Sequence, residues 1–127
     1  MMTDMTMDNF LAVLSSSEPV PGGGGACGYV AAVGMSLGNM VLALTTGKKK
    51  YAEYQEEIEE LIVKATDLTK RLAECMDKDA ESFKPLAAAY GLPKDTEEQI
   101  KEREAIMAKA LVTASEAVSY THLTLPT

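Results

Sequence analysis

The stretch YAEYQEEIEELIVKATDLTKRLAECMDKDAESFKPL, from Tyr51 to Leu86, decides the fold. Heptads counted from Tyr51 put Tyr51, Ile58, Ala65, Leu72, Asp79 and Leu86 on one row, and Tyr54, Leu61, Leu68, Cys75, Ser82 and Ala89 on a second. Apolar residues recurring at this spacing form one stripe of an α-helix that must be buried against neighbours, and only Asp79 and Ser82 interrupt it. Glu53, Glu56, Glu57, Glu59, Glu60, Lys64, Lys70 and Arg71 take other positions and read as a solvated face. The pattern predicts a long amphipathic helix from near Tyr51 to at least Phe83. Pro85 is expected to kink or end it, because proline has no amide hydrogen to donate.

Upstream, no charged residue lies between Glu18 and Lys48. Ala26 to Thr46 is long enough to cross a bilayer, for which roughly 20 apolar residues suffice. Gly28, Gly34, Gly38, Ser36, Asn39, Thr45 and Thr46 dilute its hydrophobicity, so it reads as a buried, close-packed central helix rather than a membrane span. Gly34 and Gly38, four apart on one face, would admit a close neighbour in the bundle or at a subunit interface. Pro21 and Gly22 to Gly25 read as a flexible loop before this helix, and Gly47 as its stop.

Two shorter helices complete the pattern. Met7, Phe10, Leu11 and Leu14 recur at helical spacing ahead of Ser15 to Ser17 and Pro19. After Gly91-Leu92-Pro93, a capping box of Thr96 and Gln99 opens a helix with the stripe Ile100, Met107, Leu111, Ala114 and Val118. Beyond Val118 the periodicity lapses. Residues 1–118 are therefore expected to be part of a helical domain whose remaining helices are missing, and residues 119–127 a non-native tail. With no strand signal, the expected fold class is all-α, a helical bundle with one central apolar helix and one long amphipathic helix.

At 127 residues, 46% apolar and 24% charged, the chain suits one globular domain. A net charge of -7 argues against a nucleic-acid partner, which needs a basic face. Cys27 and Cys75 form no disulfide framework, and Met1 to Asn9 carries acids where a secretory signal has basic residues, so a cytoplasmic protein is expected. The one histidine, His122, lies in the tail, and neither cysteine has a metal-ligand neighbour at working spacing, so no metal site is expected.

Three features remain as candidates for chemistry. Asp79 sits on a core row, where a carboxylate is costly unless it is paired, hydrated or at work on protons; otherwise the helix turns before Pro85 and puts it on a polar seam. Asp77 and Glu81 lie off the row and read as solvated. Gly22, Gly23 and Gly24 either connect flexibly or let backbone amides approach an anion at a helix N-terminus. Lys48, Lys49 and Lys50 either complement the helix dipole or anchor an anionic ligand.

Pro21-Gly22-Gly23-Gly24, then Leu44-Thr45-Thr46-Gly47-Lys48-Lys49-Lys50-Tyr51, then Asp79-Ala80-Glu81-Ser82-Phe83 resemble, in order and spacing, the formiminotransferase-cyclodeaminase C-terminal family. The likeness runs from Met7 to about Val118. It departs at Ala43, where the family usually has Asn, and in a further Ser-Asp motif that this chain lacks. The family includes methenyltetrahydrofolate cyclohydrolases and formiminotetrahydrofolate cyclodeaminases, all-helical proteins forming dimers or larger assemblies. The resemblance implies a tetrahydrofolate derivative as substrate, no tightly bound cofactor, a homodimer or higher homo-oligomer and no membrane. Asp79 would serve as base and acid, Lys48 to Lys50 would hold the glutamate tail, and the glycines would lie against the pterin or the tail. Cyclohydrolase is the leading expectation, since no formiminotransferase domain is attached, with cyclodeaminase as the alternative. A non-catalytic helical oligomerisation module is the reading of another class.

Overall fold

The computed structural model describes residues 1–124, with side chains through Ala117 and at Ser119. Four helices follow one another: α1 (Met7–Leu14), α2 (Gly23–Thr45), α3 (Gln55–Tyr90) and α4 (Glu97–Thr124), with 3-10 turns at Met2–Asp4 and Lys49–Tyr54. No strand occurs among the described residues, so the chain is an all-α bundle. Both α2 and α4 pack along α3 and barely meet each other.

Local chemistry sets the helix ends. The Thr6 hydroxyl accepts from the Asn9 amide at 3.2 Å and opens α1. At α4, the Gln99 amide donates to Thr96 Oγ1 and the Thr96 amide to Gln99 Oε1, both at 3.2 Å, which is the expected reciprocal box. Past Thr45 the chain turns at Gly47, whose φ of 76° suits only a residue without Cβ.

The first heptad row of α3 is the core. Ile58, Ala65, Leu72 and Leu86 are buried, joined by Cys75, Met76, Ala80 and Ala89. The second row is only partly inside, since Tyr54 and Leu61 are about half exposed. Two expectations for this segment are corrected. The α-helix starts at Gln55, because Tyr51 departs from helical geometry (φ -115°, ψ 15°). It also runs through Pro85 to Tyr90, so Pro85 does not end it. Burial of Leu86 and Ala89 on the far side offsets a proline cost of about 3 kcal/mol.

The reading of α2 as a buried central helix is also corrected. Only Gly25, Gly28 and Ala32 are buried. A Cβ on Gly28 would stand 3.2 Å from the Leu72 carbonyl, whereas Gly34 and Gly38 have nothing within 4 Å. The close approach is therefore at the N-terminal end of α2. The opposite face carries Val30, Val33, Leu37, Met40 and Leu44 at alternating spacings of three and four, all exposed. Among the described residues α2 alone is long and apolar enough to cross a membrane, and 11% of that window is buried.

In α4 the inward stripe is Arg103, Met107, Ala110, Ala114 and Ala117, which keeps Met107 and Ala114 of the expected stripe but not Ile100 or Leu111. Ile100 and Leu111 stand 41% and 45% exposed, because the alanines let α4 approach α3 more closely than larger side chains would. The α4 backbone continues past Val118 to Thr124. The expected tail at 119–127 therefore falls partly within α4, and residues 125–127 lie outside the described part, as does the side chain of Val118.

Candidate functional site

Gly22 to Gly25 are not a loop. Gly22 is the N-cap of α2, and Gly23, Gly24 and Gly25 are its first turn. Residues without Cβ suit this turn because α3 passes directly beneath it. A Cβ at Gly24 would fall 2.5 Å from Asp79 Oδ1, and one at Gly25 would fall 3.4 Å from Met76 Cγ. The space a side chain would need is occupied by the Asp79 carboxylate.

Asp79 is half-buried, and its Oδ2 accepts the Gly25 amide at 2.9 Å. This explains a carboxylate on a core row. It faces the positive end of a long helix, an interaction worth about 0.3–1 kcal/mol in exposed settings and more when partly buried. Among the described residues no cation lies within ion-pair distance of it. The other oxygen, Oδ1, accepts no hydrogen bond from the described residues, and neither the Gly23 nor the Gly24 amide has a protein acceptor there. Among the described residues, one carboxylate oxygen and two helix-end amides are thus without a protein partner.

The neighbouring acid behaves differently from its expected solvated role. Asp77 is half-buried, and its two oxygens accept from the Met2 amide at 2.6 Å and the Thr3 hydroxyl at 3.4 Å. It pins the N-terminal turn onto α3. No sequence signal marks this pairing across more than seventy residues.

Lys48, Lys49 and Lys50 are all exposed, with Lys50 Nζ 5.5 Å from the Tyr51 ring centroid. They follow the C-terminal end of α2. Helical rise over the 23 residues of α2 puts its two ends roughly 33 Å apart. Within one chain, then, Asp79 and Gly22 to Gly24 come together and the lysines stand far from them.

The sequence reading missed a cleft whose lining includes Met76, three residues before Asp79 on α3. Phe10 of α1 and Tyr29 of α2 meet with ring centroids 5.7 Å apart and planes tilted by 46°. With methionines of the N-terminal segment and Met76 of α3 they line a cavity of about 220 Å3. The spacing of Met7, Phe10 and Leu14 identified the helix but not what it faces.

The sequence model of the formiminotransferase-cyclodeaminase family matches residues 6–121. A protein of Methylorubrum extorquens named methenyltetrahydrofolate cyclohydrolase is 41% identical over 111 residues, covering 87% of this chain and 53% of that protein. Formimidoyltransferase-cyclodeaminase of Dictyostelium discoideum is 31% identical over 99 residues, 78% of this chain and 18% of its own length. The mouse protein of that name is 28% identical over 108 residues, 85% of this chain and 20% of its own. The chain thus spans about half the length of the matched cyclohydrolase and about a fifth of the cyclodeaminases.

Proposed function

The chain belongs to the formiminotransferase-cyclodeaminase family, and on that premise we propose that it hydrolyses 5,10-methenyltetrahydrofolate to 10-formyltetrahydrofolate, with Asp79 moving the proton. The observation that carries this reading is a half-buried carboxylate held by one amide, beside two amides without protein acceptors, at the N-terminus of α2. The cyclohydrolase direction is favoured by the 41% identity to a protein of that name, against 28% and 31% for the two cyclodeaminases.

The chemistry follows from that arrangement. The methenyl bridge is cationic, and the Asp79 carboxylate favours it electrostatically. Water forms a bond to the bridging carbon and gives one proton to Asp79. Asp79 returns it to the departing ring nitrogen as that carbon–nitrogen bond breaks. The second proton of the water passes to solvent as the formyl carbonyl forms. The Gly23 and Gly24 amides would hold the oxygen as it gains charge. In the cyclodeaminase direction the same carboxylate would protonate departing ammonia. Following methenyl absorbance and, separately, ammonia release from the formimino substrate distinguishes the two. Methenyl loss without ammonia release is expected, and the reverse pattern would assign the chain to cyclodeamination.

Lys48 to Lys50 enter this reading through a second copy. The exposed stripe Val30, Val33, Leu37, Met40 and Leu44 gains roughly 1.5–3 kcal/mol for each side chain fully buried. Gly34 and Gly38, open on the same helix, would let another helix approach closely. Two α2 helices paired antiparallel about a two-fold axis would set the C-terminal end of each beside the N-terminal end of the other. The partner copy's lysines then reach the folate glutamates at the Asp79 site. A bilayer suits this face less well, because α2 is fastened to α3, whose other side is charged.

Two expected results arise here. Gly24→Ala displaces Asp79 and should reduce turnover on the order of a hundredfold, the scale of an ångström misplacement. Steady-state kinetics beside a circular-dichroism melt would check it. Replacing Lys48, Lys49 and Lys50 together by Gln should raise KM roughly tenfold for polyglutamylated substrate, the scale of a few exposed ion pairs. The rise should be smaller for monoglutamate, and the salt dependence of KM should weaken. Equal effects on both substrates would leave the lysines with only a helix-end role.

A further inference from the structure

The apolar cleft between α1, the N-terminal turn and α2 is closed on the α3 side by Met76, three residues before Asp79. Gly25 joins the two: its amide donates to Asp79 Oδ2, and its Cα side faces Met76, which lines the cleft. Met76 and Asp79 are three apart on one face of α3, a separation of about 5–6 Å between Cβ atoms. Resting on the function proposed above, we infer that this cleft is the subsite for the aminobenzoyl ring of the folate, so that the ring's nitrogen presents its one-carbon unit to Asp79.

Size, chemistry and position each support that occupant. An apolar cavity of about 150 Å3 accommodates benzene. The 220 Å3 here fits a single benzoyl ring with its substituents directed outward. Met2, Met5, Met7 and Met76 supply flexible, polarisable thioethers, which make favourable contacts with aromatic rings, and Phe10 and Tyr29 offer ring faces and edges. A pterin would fit poorly, because its amide and amino edge needs hydrogen-bond partners and burying them unpaired is costly. Besides Tyr29, the polar side chain in the lining is Thr3, whose hydroxyl already donates to Asp77. The one-carbon bridge lies between pterin and aminobenzoyl nitrogen. With the benzoyl ring in the cleft, the pterin falls on the other side of Asp79, towards Gly22 to Gly24.

The chain has eight methionines, and four of them line the cleft, so methyl resonances report directly on its occupation. Titrating 13C-methyl-methionine protein with p-aminobenzoylglutamate should shift Met2, Met5, Met7 and Met76 saturably through the ring current. Met1, Met35, Met40 and Met107 should stay in place. N-acetylglutamate, which has the tail without the ring, should move none of the four. Ala26→Leu, which fills the cleft from α2, should weaken binding of the fragment at least tenfold and raise KM for 5,10-methenyltetrahydrofolate while the melting temperature holds. Shifts confined to the other methionines, or the four cleft methyls unmoved at saturation, would overturn the subsite. If the fragment binds in the cleft but the wild-type chain does not hydrolyse the methenyl compound, the subsite stands and the activity assignment fails.

Discussion

Asp79→Asn should lower methenyltetrahydrofolate turnover by two to four orders of magnitude, the usual contribution of a positioned acid–base group. The amide keeps the shape of the carboxylate and still offers an oxygen to the Gly25 amide, so helix content should be unchanged. Losing the negative charge at the N-terminus of α2 should cost on the order of 1 kcal/mol in stability. A stopped-flow trace of methenyl absorbance, read beside a thermal melt, separates the two consequences. Near-normal turnover would remove Asp79 from the chemistry. A melt lowered by tens of degrees would make it a structural carboxylate whose main work is to fasten α2 to α3.

Leu37→Glu should dissociate the proposed α2–α2 dimer and, by removing the partner copy's lysines from the site, raise KM for polyglutamylated substrate roughly tenfold. Leu37 is 56% exposed in the single chain and central to the apolar stripe of α2. A charge introduced without a partner into a closed helix–helix seam costs roughly 3–5 kcal/mol, hundreds-fold or more in the dissociation constant. Analytical ultracentrifugation of parent and variant across a dilution series measures it. Helicity should persist in the variant, because Leu37 faces away from α3. A parent that sediments as a monomer throughout, or a monomeric variant with unchanged KM, would show that one chain builds the site alone.

The parts of the fold legible from sequence were those where charge contrast marks a face. In α3, glutamates and lysines alternate with an apolar row, and Ile58, Ala65, Leu72 and Leu86 are buried as that row requires. α2 has no charged residue to orient it, so the same three-and-four spacing in Val30, Val33, Leu37, Met40 and Leu44 passed unread. Its glycines misled for a related reason. Gly34 and Gly38 have the spacing of a packed face, yet the contact with α3 is made at Gly24, Gly25 and Gly28. In α4 Met107 and Ala114 face inward as their spacing suggests, but Ala110, Ala117 and Arg103 complete the inward stripe in place of Ile100 and Leu111, whose size gave no sign of their direction. Pro85 would ordinarily end a helix, and only tertiary burial of Leu86 and Ala89 carries α3 beyond it.

The site divides along the same line. Asp79 announced itself because a carboxylate on a core row needs a reason, and the structure supplies one in the α2 N-terminus. The glycine run lies against Asp79 with a local structure other than the expected one, since consecutive glycines in sequence suggest a loop and here begin a helix. The separation of Lys48 to Lys50 from Asp79 could not be seen before the straight length of α2 was known. Asp77 and the Phe10–Tyr29 cleft depend on the N-terminal segment folding back over α3, a contact between distant residues that leaves no periodic trace.

The most direct measurement follows the amide resonances of Gly23, Gly24 and Gly25 while 10-formyltetrahydrofolate, the proposed hydrolysis product, is titrated into 15N-labelled protein. The Gly25 amide donates to Asp79 Oδ2, and the other two have no protein acceptor among the described residues, so a folate whose one-carbon group is handled at this place must perturb all three. Saturable shifts of all three glycines are the expected result. If the three resonances stay fixed while the ligand saturates elsewhere on the protein, the one-carbon chemistry does not occur at Asp79.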